Sequence, residues 1–155
     1  PLRRSGTVDD ATLDRIARAL RLEPRAFIAS QWLVNGPNWV AVMLRTREEL
    51  LALKPDFAAM GELEIGVVAP CLHSEIAFEV RAFVPTLGVA EDPVTGSLQA
   101  GLAQWLIGEG LAPSRYVAAQ GTALGRAGRV HVERDGADIW IGGDVVVCIE
   151  GQCRL

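Results

Sequence analysis

Paired cysteines, basic clusters and long apolar runs are all missing from this chain of 155 residues. Its three cysteines, Cys71, Cys148 and Cys153, are odd in number and form no C-x-x-C pair. That argues against a disulfide framework and leaves a reduced, cytosolic setting, with the thiols as small core or edge residues. His73 and His131 lie far apart, and no Cys/His/Asp cluster has ligand spacing, so no metal is expected. Lys and Arg total 15 against 19 Asp and Glu, a net charge of -4. They are spread along the chain without aromatic interleaving, which argues against nucleic acid and anionic membrane as partners. No stretch reaches the roughly 20 apolar residues that cross a bilayer, and no signal peptide opens the chain, so a cytoplasmic protein is expected. Low-complexity segments, linkers and repeats with a period of about 20 to 50 residues are absent as well. The chain begins at Pro1 with no methionine, consistent with removal of something upstream.

What is present suits one domain of ordinary size, half of it hydrophobic, with about two-thirds of its unfolded surface available for burial. The organising stretch is Glu91-Asp92-Pro93-Val94-Thr95-Gly96-Ser97, which runs directly into Leu98 to Ile107. A proline that presets φ, capping side chains and a run of helix formers predict a loop turning into a helix near Pro93 or Thr95. Only Gln99 and Gln104 are polar between Leu98 and Ile107, so the helix is apolar nearly all round and must be enclosed by protein. Its first amides have no partner inside the helix and carry the positive end of the macrodipole. Gly96, Ser97 and Leu98 therefore offer donors to an anion. Asp92 and Ser97 add a carboxylate and a hydroxyl, a set suited to holding a carboxylate or enolate-like oxygen while a proton moves. The plainer alternative is that Asp92 and Ser97 only cap the helix.

Taken in order, Thr7-Val8-Asp9-Asp10 caps an amphipathic helix with Ile16, Ala17 and Leu20 inside and Arg15, Arg18 and Arg21 outside, ended by Pro24. Ala26 to Ala29 reads as a strand, and Asn35-Gly36-Pro37 as a turn into a second strand from Trp39 to Leu44, apolar enough to be buried on both faces. Thr46-Arg47-Glu48-Glu49 caps a short helix, and another is expected from Asp56 to Leu63. Strands follow at Ile65 to Pro70 and Ile76 to Val84, the latter leading through Pro85 and Gly88 directly to Asp92. After the apolar helix come strands at 115–119, 129–134, 137–141 and 145–150, with hairpin signals at Asp135-Gly136 and Gly142-Gly143. The expected fold class is α+β: a mostly antiparallel half-barrel sheet wrapped around a central apolar helix.

Arg81-Ala82-Phe83-Val84-Pro85 followed by Glu91-Asp92-Pro93-Val94-Thr95-Gly96-Ser97 resembles the phenazine-biosynthesis PhzF-like family, within the diaminopimelate-epimerase-like superfamily. Asn35-Gly36 with Trp39, Gln120-Gly121 with Gly125-Arg126, and Ile141-Gly142-Gly143 with Glu150-Gly151 agree, over most of residues 26 to 155. The resemblance implies a two-lobed protein with an active site in the cleft where two helix starts meet. Residues 1 to 155 then form a single domain similar to the C-terminal lobe, without the N-terminal lobe. By that resemblance Asp92 and Ser97 are the candidate catalytic residues, and Thr95, Gly96, Ser97 and Leu98 the candidate substrate-binding residues. The principal proton-shuttling glutamate, with a histidine nearby, belongs to the missing lobe, and Glu91 does not replace it.

The implied reaction is isomerisation by moving a proton at carbon on a small carboxylate or amino-acid-like substrate, with no cofactor and no metal. Relatives that racemise amino acids use two cysteines; Ser97 stands where such a thiol is expected, so a two-thiol route is not. The expected partners are the small-molecule substrate and either an N-terminal lobe or a second copy of the chain. The competing reading is a stand-alone binding or assembly module, with two copies paired through the apolar face that normally meets the other lobe. Arg81 is expected to pair with a carboxylate such as Glu79 or Glu91 rather than to clamp substrate, and Arg126 to form a structural ion pair, the alternative being that it holds a substrate carboxylate; Gln120 is read as positioning the motif loop. Trp32, Trp39, Trp105 and Trp140 read as core or lobe-interface residues, and neither histidine is given a role.

Overall fold

Trp39-Val40-Ala41-Val42-Met43 sets the plan of the molecule, because all five side chains are buried and successive ones point to opposite faces of a strand. Trp39, Ala41 and Met43 enter one core, and Val40 and Val42 another. The computed structural model describes residues 1–72 and 74–154, so His73 lies outside the described residues.

Nine strands among those residues form one open sheet: β1 (Arg4–Gly6), β2 (Ala29–Val34), β3 (Trp39–Met43), β4 (Glu64–Pro70), β5 (Phe78–Val84), β6 (Val89–Asp92), β7 (Arg115–Gln120), β8 (Gly128–Asp135) and β9 (Asp138–Gly142). The spatial order is β1-β2-β3-β4-β5-β7-β8-β9, with β6 folded back on β5. Only β3 with β4 and β5 with β7 are parallel; the other pairings are antiparallel, as the α+β reading requires.

Helix α4 (Gly96–Gly108) fills one face. It touches β2 and β3 on one flank and β9 on the other, so the sheet curls round it. Leu98, Leu102, Ala103, Trp105 and Leu106 are all buried there. Two glycines permit this close seat. A Cβ on Gly66 would stand 2.5 Å from Leu98 Cδ1, and one on Gly101 would stand 2.9 Å from Leu33 Cβ. The opposite face is covered by α1 (Asp10–Leu20), α2 (Arg47–Leu51) and α3 (Phe57–Met60), which contribute Ile16, Leu20, Leu50 and Met60 to the second core. Asp9 and Asp56 cap the first and third, and Thr46 with Glu49 forms a capping box on the second.

Several expectations need correction. The strand placed at Ala26–Ala29 is displaced: Pro24 opens a 3-10 turn through Ala26, and β2 begins at Ala29. Strands β1 and β6 were not foreseen, each being three or four residues of mixed polarity. The strand expected from Val145 to Glu150 does not form, and Gly142-Gly143 is no hairpin. Its residues suit a strand, but strand structure needs a paired neighbour, and Val145, Val146, Val147 and Ile149 stand at least three-quarters exposed. Cys148 and Cys153 lie on this exposed tail rather than in a core or at an edge. No helix among the described residues is long and apolar enough to cross a membrane.

Candidate active site

The start of α4 is assembled from four segments remote in sequence. Strand β6 pairs Asp92 with Ala82 and Glu91 with Phe83, which places the motif at the end of β5. Glu91 is turned inward and consumed there. Its two carboxylate oxygens accept from Arg81 Nε (2.9 Å) and Nη2 (2.7 Å). Arg81 Nη1 donates to the carbonyls of Leu50 (3.2 Å) and Leu53 (3.0 Å). Both side chains are more than nine-tenths buried, so Arg81 ties α2 to β6 and neither residue faces a ligand. The expected Arg81–Glu91 pairing holds. Glu79 pairs instead with Arg47 at 3.0 Å.

Asp92 and Ser97 do not cap the helix. Thr95 is the N-cap residue by conformation, yet no side chain caps α4. Thr95 Oγ1 donates instead to Asp92 Oδ2 at 2.6 Å. Gln120, fully buried on β7, holds the loop from beneath. Its Nε2 donates to Asp92 O (3.0 Å) and Thr95 Oγ1 (2.9 Å), and its Oε1 accepts from Thr95 N (3.2 Å) and Gln99 Nε2 (2.9 Å). The positioning role read for Gln120 is thus what its contacts provide. Arg126, in contrast, is exposed and forms no ion pair among the described residues.

The hairpin between β2 and β3 braces the other side. Asn35 Nδ2 donates to Ser97 O (2.7 Å), and Trp39 Nε1 donates to Ser97 Oγ (3.0 Å). With those bonds made, the amides of Gly96, Ser97 and Leu98 find no acceptor among the described residues, and Gly96 is exposed. The tip of an enclosed helix is therefore open to solvent. An anion placed on it meets the unpaired N–H groups of Gly96 and Ser97 and the positive end of the dipole. Asp92 stands half-buried at its rim with one oxygen unbonded. Thr95 is buried with amide and hydroxyl already engaged, and Leu98 is wholly buried with its side chain in the core, so neither of these two expected substrate-binding residues is presented at the surface. From sequence Asn35 belongs to a turn and Trp39 to the core or lobe interface; a turn signal so far along the chain from the helix-tip motif does not reveal which element it will touch.

The sheet curls around a buried helix whose start is flanked by an acid and a hydroxyl. The family model described as "Phenazine biosynthesis-like protein" (PhzC-PhzF) matches residues 1–151, and the chain belongs to that family. A Pseudomonas aeruginosa protein named only as an uncharacterized isomerase is 34% identical over 124 residues, covering 79% of this chain and 46% of its own. A Clostridium acetobutylicum protein of the same description is 25% identical over 96% of this chain and 56% of itself. The crystal structure of a Bacillus anthracis phenazine biosynthesis protein of the PhzF family superposes with a TM-score of 0.70 at 17% identity, over 89% of this chain and 52% of that one. The chain thus spans about half the length of the relatives it matches.

Proposed function

We propose that this chain supplies one half of an isomerase that moves a proton at carbon without a cofactor, on a small carboxylate or amino-acid-like substrate. The observation that carries the reading is the open helix tip: the unpartnered amides of Gly96 and Ser97 beside a half-bonded carboxylate and a hydroxyl. Removing a proton next to a carboxylate builds negative charge on its oxygens, and preorganised N–H donors stabilise that charge most where water is excluded. Asp92 then accepts or returns the proton, and Ser97 donates a hydrogen bond to the substrate. The second acid/base group comes from a partner lobe facing this tip, in keeping with the half-length match to the relatives. The exposed apolar tail at Val145 to Ile149 favours such a partner, because unpaired strand-forming residues associate.

The test joins this chain to the N-terminal half of a PhzF-family relative and follows deuterium from solvent into carbon positions of a panel of small amino acids and cyclic carboxylates. Exchange that disappears in Asp92→Asn and falls at least tenfold in Ser97→Ala supports the reading. Absence of exchange across the panel, from a complex shown to be folded and joined, refutes it. A second reading, favoured by the same tail, is a homodimer without catalytic activity that sets two tips face to face about a two-fold axis. Light scattering separates the two, since a clean monomer at high concentration removes the dimer.

A further inference from the structure

Ser97 is held by two hydrogen bonds that arrive from a part of the chain about sixty positions away. Trp39 and Asn35 bond it from the β2–β3 hairpin, one to its side chain and one to its carbonyl. Trp39 is 2% exposed, and its indole nitrogen can only donate. The Ser97 oxygen must therefore accept, which turns the hydroxyl proton away from Trp39. That proton meets no acceptor among the described residues.

We propose that Trp39 and Asn35 are positioning residues for the tip, and that Trp39 commits Ser97 to donate a hydrogen bond rather than to act as a base. Donation from the indole draws electron density from the Ser97 oxygen, making its O–H a stronger donor and stabilising negative charge on that atom. Asn35 fixes the first turn by its carbonyl, so that the side-chain direction follows the hairpin. A second buried tryptophan supplies the contrast. Trp105 lies on the same helix, 3% exposed, and its indole nitrogen has no partner among the described residues. The inference rests on the open, electropositive tip, and its test separates the two ideas.

The experiment replaces the hydroxyl with a titratable reporter, Ser97→Cys, and measures the thiol pKa from the pH dependence of iodoacetamide alkylation. Labelling is mapped peptide by peptide so that Cys71, Cys148 and Cys153 report separately. An electropositive tip puts the introduced thiol below the ordinary value of about 8.5. Adding Trp39→Phe should raise it by about one unit, roughly a tenfold loss of thiolate at neutral pH, whereas adding Trp105→Phe should leave it in place. Where Trp39→Phe does not fold, the indole N–H resonance of Trp39 in the Ser97→Cys protein serves instead. It should shift with the same midpoint as alkylation while that of Trp105 stays fixed. A thiol pKa unmoved by Trp39→Phe, or a Trp39 indole signal that ignores the titration, overturns the brace. A thiol that starts at or above its ordinary value yet still follows Trp39 supports the brace and refutes the electropositive tip.

Discussion

Replacing Gln120 by leucine should be strongly destabilising, and a second substitution beside it should restore stability rather than remove more. Leucine fills most of the volume, so the cavity contribution is small, below about 1 kcal/mol. The loss comes from partners left behind. Asp92 O belongs to a half-buried residue and can reach water, and Thr95 Oγ1 keeps its bond to Asp92. Thr95 N and Gln99 Nε2 are buried donors that lose the one acceptor each has among the described residues. At about 1–3 kcal/mol each, the variant should lose about 4 kcal/mol, seen as a fall of about 2 M in the urea midpoint with an unchanged slope. Adding Gln99→Leu removes one orphan donor, so the double variant should be more stable than Gln120→Leu alone by about 1–2 kcal/mol. A loss below 1 kcal/mol for Gln120→Leu, or a second substitution that only adds damage, would show that the loop is not suspended from this side chain.

Arg81→Leu should lower the melting temperature by about 10 °C in calorimetry, because Glu91 is left charged and buried and the Leu50 and Leu53 carbonyls lose their donor, at about 3–5 kcal/mol. Tyr116 is the chain's one tyrosine, and burial pushes its phenol well above the usual value. Ultraviolet titration should therefore find no phenolate near pH 10 while the protein stays folded. The raised folded-state pKa also means stability that is complete below about pH 10 and declines above it, where only the unfolded chain releases the proton. Burial, with Glu79 nearby, raises the Cys71 thiol, so iodoacetamide at pH 8 should label the exposed Cys148 and Cys153 first, and equal rates would contradict the packing. Truncation after Gly142 should change the stability read from urea unfolding by no more than about 0.5 kcal/mol, since residues 143–154 make no backbone hydrogen bonds to the other described residues.

The elements legible in the sequence were those whose pattern is local. Asp9, Thr46 and Asp56 sit where capping chemistry requires them, Gly136 turns the β8–β9 hairpin at a φ of 57°, and the five buried residues of β3 betray a strand covered on both faces. Helix α4 announced itself by having no polar side. What escaped depends on partners. Strand β6 exists because β5 has a free edge where the chain doubles back, and β1 because β2 has one. The tail failed to become a strand for the converse reason. Residues with high β propensity and nothing to pair with remain coil, and propensity alone cannot report on the neighbour. At the site, the motif named the tip but misjudged how it is held. Asp92 and Ser97 have the side chains of helix caps, but a hydroxyl and an indole reach them before the helix amides do.

That diversion is what leaves the site usable. A helix start normally satisfies its amides with a nearby side chain, and here the eligible groups are engaged elsewhere: Thr95 and Asp92 with each other, and Ser97 by Trp39. The open amides thus depend on contacts made by β3 and β7, strands separated in the sheet by β4 and β5. Only the assembled sheet order brings Trp39 and Gln120 to opposite sides of one helix turn. Isolated from that sheet, the segment would be free to cap itself. The contacts themselves are held by the two cores that fix β3 and β5, whose buried apolar side chains lie on both faces of the sheet. An anion that binds the folded tip and not the unfolded chain should therefore stabilise the fold by mass action, with a melting temperature that rises with its concentration.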